Sequence, residues 1–277
     1  MSLASSTISQ AAHAVADAKF LLVCAGAGMG VDSGLPDFRG NEGFWRAYPP
    51  LQELGLSFAQ IANPRWFDRD PELAWGFYGH RLHLYRTTTP HAGFAVLRAW
   101  SESRNSWVYT SNVDGQFGRA GFDASRICEV HGSIHHLQCT LPCSEDIWSA
   151  DETQIEVSPD FRARGELPRC PRCGALARPN ILMFSDGAWN LGRSLAQERE
   201  LMRWMKERRG EKTVVVELGA GSAIPTVRSF SETAQREGAT LVRINPRESD
   251  GPPGTISLAC GAREGVEAIE RVLTGEG

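Results

Sequence analysis

The run Phe20-Leu21-Leu22-Val23-Cys24 constrains this chain more than any other segment, because it offers no polar face to water. Such a run fits a strand buried on both sides, the setting of a parallel sheet covered by helices. The glycine-rich stretch Ala25-Gly26-Ala27-Gly28-Met29-Gly30 follows at once, and a helix start is expected after it. Strand, glycine turn and helix form the layout of a dinucleotide-binding crossover. Glycines let the backbone approach a pyrophosphate, and the helix N-terminus offers unpaired N–H groups. Taken alone, the turn also suits a tight connection with no ligand. It departs from the hydride-transfer fingerprint, since Val31 stands where the third glycine belongs. Nor does an acidic strand end follow about 20 residues on to hold a ribose. A conventional dehydrogenase is disfavoured.

The rest of the chain repeats the alternation. Helices are expected over Thr7 to Ala18, Pro71 to Arg86 and Leu191 to Arg209, the last stopped by Gly210. Strands are expected at Trp107 to Thr110, Ile127 to Val130, Thr213 to Leu218, Leu241 to Ile244 and Thr255 to Leu258, with regular chain resuming at Ile181 to Phe184. The reading is α/β: a Rossmann-like doubly wound parallel sheet with an inserted small zinc-ribbon module and a helical insertion. The expected division is 1–40, 86–134 and 178–277 for the nucleotide-binding domain, 41–85 for the helical insertion and 135–177 for the cysteine module. In this architecture ligands lie beyond the carboxyl ends of the strands, where the informative loops sit.

Composition narrows the partners. A net charge of −4 argues against a basic nucleic-acid face, and Lys206-Glu207-Arg208-Arg209 reads as a solvated helix end. No stretch reaches the length of an apolar membrane helix, and no charged segment opens a secretion signal. Seven cysteines, an odd number with four bunched in two pairs, suit a reduced compartment, so the cytoplasm is expected.

Those two pairs are Cys139-x3-Cys143 and Cys170-x2-Cys173, separated by 26 residues. Two short knuckles can deliver four soft ligands to a tetrahedral zinc with little loss of chain entropy, and a complete thiolate set makes the metal structural. A redox pair is the competing reading.

Three loops carry a more specific message. Gly26 to Gly40, GAGMGVDSGLPDFRG, places Asp37 and Arg39 around Phe38 in a loop that packing does not demand. Over these 15 residues the chain resembles the signature loop of the sirtuins, the NAD-dependent protein deacylases. The resemblance implies that Ala25, Gly26, Ala27 and Gly28 hold the diphosphate and that Asp37, Phe38 and Arg39 close over the nicotinamide end. Thr110-Ser111-Asn112-Val113-Asp114-Gly115 is similar to the family segment that receives nicotinamide and ribose, with Ser111 in place of Gln. Without the family, that segment reads as a turn. Glu129-Val130-His131-Gly132-Ser133 resembles the segment bearing the family's catalytic histidine. An imidazole at a strand end can act as a base near neutral pH, with His135 and His136 as rivals.

Further matches are looser. Gly219-Ala220-Gly221-Ser222 resembles the family's Gly-Thr-Ser cofactor loop, Asn245 would reach the adenine ribose, and Cys260 would pass near the adenine. Arg178 to Phe184 resembles the lead into the substrate segment, with Ser185-Asp186 replacing Gly-Glu. Tyr78 and Arg81 share a helix face, as in members that remove acidic acyl groups such as succinyl, although a surface Arg beside a core Tyr fits equally.

The resemblance implies an NAD-dependent lysine deacylase, active on acetyl and extending to succinyl groups, yielding nicotinamide and O-acyl-ADP-ribose. His131 would be the base, with Asn112 and Asp114 organising the nicotinamide end. NAD is the expected co-substrate, zinc the structural metal, and acyl-lysine proteins or peptides the partners, with neither nucleic acid nor membrane. Mono-ADP-ribosylation or NAD hydrolysis on the same fold remains the alternative.

Overall fold

The structure, a computed structural model, describes residues 5–36 and 40–276. The chain opens with helix α1 (Ser5–Asp17) and strand β1 (Phe20–Ala25), then passes through five helices: α2 (Gly40–Ala47), α3 (Pro49–Glu53), α4 (Phe58–Ile61), α5 (Trp66–Arg69) and α6 (Pro71–Thr87). Helix α7 (Ala92–Glu102), β2 (Asn105–Thr110), α8 (Gln116–Arg119) and β3 (Ile127–Glu129) follow. Next come β4 (Gly132–Cys139), β5 (Ile147–Ser149), β6 (Glu156–Val157), β7 (Ala163–Arg164) and β8 (Ala177–Ile181). The chain closes with α9 (Gly192–Glu207), β9 (Thr213–Leu218), α10 (Thr226–Arg236), β10 (Thr240–Ile244), β11 (Ile256–Leu258) and α11 (Ala262–Thr274).

Six strands form an all-parallel sheet in the order β11-β10-β9-β1-β2-β3. The chain starts in the middle at β1, builds outward to β3, then returns to build the other half. The continuous apolar run follows from this position: Leu21, Val23 and Ala25 enter the cluster beneath α1, α7 and α11, while Leu22 and Cys24 face α9 and α10. Burial on both faces removes any use for polar residues. One exception is paired. Arg243 on β10 meets Glu217 on β9 at 2.6 and 3.0 Å and Glu232 on α10 at 2.9 Å, with the Arg243 and Glu217 side chains wholly buried.

The cysteine-bearing stretch stays outside this sheet. Strands β4, β5 and β8 form their own antiparallel sheet, and β4 runs straight through the expected boundary at 134/135. Its apolar face joins the aromatic helices α2–α6 in one core, in which Phe44, Tyr48, Trp75 and Phe77 pack with Ile134, Leu137 and Ala177. The Trp75 indole N–H donates to the Ala177 carbonyl at 3.0 Å. Helical stretch and metal module therefore share a core.

Two local expectations change. At the helix start expected beside the first glycine loop, two 3-10 turns, Ala27–Met29 and Val31–Ser33, stand instead. Gly34 at φ 86° ends the second turn in a left-handed conformation that glycine adopts without strain. Residues 182–184, expected as regular chain, lie beyond the end of β8, where Asp186 takes the Met183 N–H at 3.2 Å.

Candidate functional site

The chain reverses direction across the sheet between β1 and β9, and their two glycine loops meet at that switch point. Gly26 N–H donates to the Leu218 carbonyl at 2.9 Å, and Gly28 N–H to the Gly219 carbonyl at 3.0 Å. A Cβ on Gly26 would lie 2.7 Å from the Ala220 Cα, and one on Gly219 only 2.4 Å from the Gly28 Cα. Only glycine permits this contact. The loop after β2 is tied to the same point: Thr110 Oγ1 donates to the Ala25 carbonyl at 2.9 Å and accepts from Asn112 N–H at 3.0 Å, while Asn112 Nδ2 donates to the Gly26 carbonyl at 3.0 Å.

Above these loops opens a cavity of about 590 Å³. Gly26 and Ala27 line it from the first loop, Ser111, Asn112 and Asp114 from the second, and Gly219 to Ser222 from the loop after β9. His131, Tyr78 and Arg81 line it as well. Ala25 and Gly28 support the loops from behind without forming its wall. Asn245 is fully buried, its Nδ2 held by the Ala220 carbonyl at 2.8 Å and its Oδ1 by the N–H groups of Arg247 and Glu248 at 3.0 Å. Cys260 lies in the core beside Ile244 and Gly265. Asp37, Phe38 and Arg39 lie outside the described residues.

Of the three neighbouring histidines, His131 alone lines the cavity. It stands two residues past the end of β3, and its Nε2 lies 3.2 Å from Thr226 Oγ1 at the start of α10. Burial lowers its pKa below the ordinary 6.5, so the imidazole is neutral and able to accept a proton at pH 7. His135 is committed elsewhere, its Nε2 donating to the Asp114 carbonyl at 3.0 Å. His136 sits on β4 opposite Ser149 and is pushed down by burial to about 4.

Asp114 is buried, and desolvation raises its carboxyl to about 6 against the Gln116 N–H bond at 2.9 Å. The polar cavity residues missed in the sequence are Tyr85, Thr226 and Glu248. Glu248 accepts from Ser222 N–H and Oγ at 2.8 and 2.9 Å. None sits in a recognisable motif, and only folding brings them in. Tyr78 is fully buried and Arg81 only 5% exposed, so the alternative of a surface arginine falls away.

The four sulfurs of Cys139, Cys143, Cys170 and Cys173 all lie within 4.8 Å of one another, and Cys139–Cys173 and Cys143–Cys170 are each 3.6 Å apart. Those spacings are too long for disulfides. They fit the edges of a thiolate tetrahedron around zinc, where each Zn–S bond is about 2.3 Å. The first knuckle, one residue longer than the second, still brings Cys139 and Cys143 into the cluster.

Fold and cavity together define a doubly wound α/β protein with its cavity at the switch point of the sheet, where such folds take nucleotides. The Sir2 family profile matches residues 26–203, and the chain belongs to that family. Among its relatives, an NAD-dependent protein deacylase of Aeropyrum pernix is 29% identical over 95% of this chain and 96% of that protein. One of Thermus thermophilus is 28% identical over 95% and 93%. A Sir2 homologue mutant solved with ADP-ribose is similar at a TM-score of 0.73 and 26% identity, covering 96% of this chain and 97% of that one.

Proposed function

We propose that this protein is an NAD-dependent protein deacylase that moves the acyl group of an acyl-lysine onto ADP-ribose and releases nicotinamide. The observation carrying this reading is the convergence of His131, Asn112 and Asp114 on one cavity floored by the two glycine loops. The glycine contacts suit a dinucleotide, since a Cβ at Gly26 or Gly219 would force apart the two loops that form the cradle. Gly26, Ala27 and Gly219 to Ser222 would hold the diphosphate through backbone N–H groups. Bound NAD supplies an electrophilic ribose carbon and a hydroxyl acceptor for the acyl group.

The chain's own groups do the rest. Asn112, fixed by Gly26, and Asp114 orient the nicotinamide end. Neutral His131 takes a proton from the accepting hydroxyl at the ring nitrogen that Thr226 leaves free, and the Thr226 contact at Nε2 fixes the ring's orientation. Met183 and Ile181 give the acyl chain an apolar wall that excludes water.

Tyr78 and Arg81 support an acidic acyl group such as succinyl, because a buried guanidinium beside a phenol suits a terminal carboxylate. Among the described residues no helix is long and apolar enough to cross a membrane. Mass spectrometry of the purified protein with NAD and acetyl- or succinyl-lysine peptides tests the assignment. O-acyl-ADP-ribose is expected, and its absence with every acyl group overturns the reading. Labelled ADP-ribose retained on protein instead would indicate a mono-ADP-ribosyltransferase.

A further inference from the structure

Helix α6 presents more than Tyr78 and Arg81 to the cavity. One turn beyond Arg81 lies Tyr85, which also lines the cavity and is 4% exposed. Both Nε and Nη2 of Arg81 donate to the Tyr85 phenolic oxygen, at 3.0 and 2.8 Å. A guanidinium on a long side chain has many rotamers, and two bonds from one edge to a single oxygen set both its tilt and its depth. The ring faces of Phe77 and Phe58 lie 5.2 and 5.8 Å from the same guanidinium carbon, which confines it further.

Tyr85 is itself anchored. Gln116, next to the loop that carries Asp114, donates Nε2 to the Tyr85 carbonyl at 3.3 Å. Burial pulls the Arg81 guanidinium down while the phenols of Tyr85, Tyr48 and Tyr78 push it up, and the balance lies above its ordinary value. Burial pushes the Tyr78 phenol up to about 12, so it stays a hydrogen-bond donor; its oxygen is buried with no hydrogen-bond partner among the described residues.

We propose that Tyr85 is the positioning residue of a carboxylate-recognising acyl subsite: it holds Arg81 so that guanidinium and Tyr78 hydroxyl together meet the terminal carboxylate of a dicarboxylic acyl-lysine. This rests on the acidic-acyl reading of Tyr78 and Arg81. The Nε–Nη2 edge, the one most often used for a bidentate carboxylate, is committed to Tyr85. The acyl carboxylate meets the guanidinium so held, with the Tyr78 hydroxyl as the second donor. Tyr85 acts through Arg81 and touches no reacting atom.

The test is equilibrium binding of matched succinyl-lysine and acetyl-lysine peptides, without NAD, to wild type, Tyr85→Phe and Arg81→Met. Wild type binds the succinyl peptide more tightly. Tyr85→Phe narrows that preference by about tenfold, since a hydrogen bond to a charged group is lost, and Arg81→Met abolishes it. The ratio between peptides is the readout, because partial misfolding weakens both together. In turnover, Tyr85→Phe raises KM for the succinyl peptide with little change in kcat. If wild type prefers succinyl and Tyr85→Phe keeps the full preference, the role of Tyr85 is overturned while the acidic-acyl reading stands. If wild type shows no preference, that reading falls and this inference with it.

Discussion

His131 Nε2 and Thr226 Oγ1 lie 3.2 Å apart, joining the end of β3 to the start of α10 across 95 residues of chain. That contact lets the segment bearing the second glycine loop orient the proposed base.

Replacing Thr226 by Val keeps the shape and removes the hydroxyl. We expect kcat to fall about fivefold, the worth of one ordinary hydrogen bond, with Thr226→Ser close to wild type. Steady-state kinetics on the three proteins decide it; equal kcat for Val and wild type would sink the positioning role. Because burial lowers the His131 pKa, its base form persists to lower pH than for a free imidazole. The acid limb of kcat/KM should therefore rise through an inflection below 6.5.

The contact between the glycine loops predicts a sharp effect at Gly26. A methyl there would sit 2.7 Å from the Ala220 Cα and 2.9 Å from the Gly219 carbonyl oxygen, both backbone atoms that cannot step aside alone. Gly26→Ala should push the loops apart and raise the NAD dissociation constant at least about tenfold, a cost of roughly 1.4 kcal/mol. Calorimetric titration with NAD measures this directly.

Asp114 should trade stability for function. Its folded pKa of about 6 lies above the 3.8 of an ordinary carboxyl, so the folded state holds a proton that the unfolded chain gives up. Stability then falls as pH rises through the window from 3.8 to about 6, and the buried carboxylate is a burden above it. Asp114→Asn keeps the oxygen that accepts from Gln116 and removes the charge. It should be more stable than wild type at pH 8, by at most about 3 kcal/mol, and so melt at a higher temperature, with the gap closing toward pH 4. NAD turnover should drop in the same variant. Melting curves at the two pH values are the check.

Zinc removal should reach the proposed active site. Strand β4 begins one residue after His131 and ends at Cys139, so one short strand connects the base to the metal site. Elemental analysis should find one zinc per chain. Chelation should lower both the melting temperature and NAD turnover, with zinc restoring them, and Cys143→Ser should reproduce the loss. Full turnover by metal-free protein would separate the two sites.

Much of the framework was readable because it depends on local rules. Apolar runs such as Val214-Val215-Val216 report burial on both faces, and the glycines of both loops mark strand ends where backbone must approach backbone. The knuckle spacing of the four cysteines anticipated their convergence. The 3-10 turns beside the first glycine loop were not readable, because such short turns carry no periodic signal. Nor was the fully buried Arg243–Glu217 pair, since a charged residue in a strand reads as an exposed one until its partner is known.

By itself the sequence determined where the loops, strands and metal ligands fall along the chain, because glycine content, apolar runs and cysteine spacing are properties of neighbours. Only the tertiary structure decided that Tyr78, Arg81 and Tyr85 open onto the same cavity as His131, and that Thr226 meets the imidazole. Those relationships arise when the helical insertion packs on β4 and β8 in one core, and when β9 lies beside β1. Side chains far apart in the chain become neighbours through the burial of apolar surface elsewhere, which no local pattern around them records.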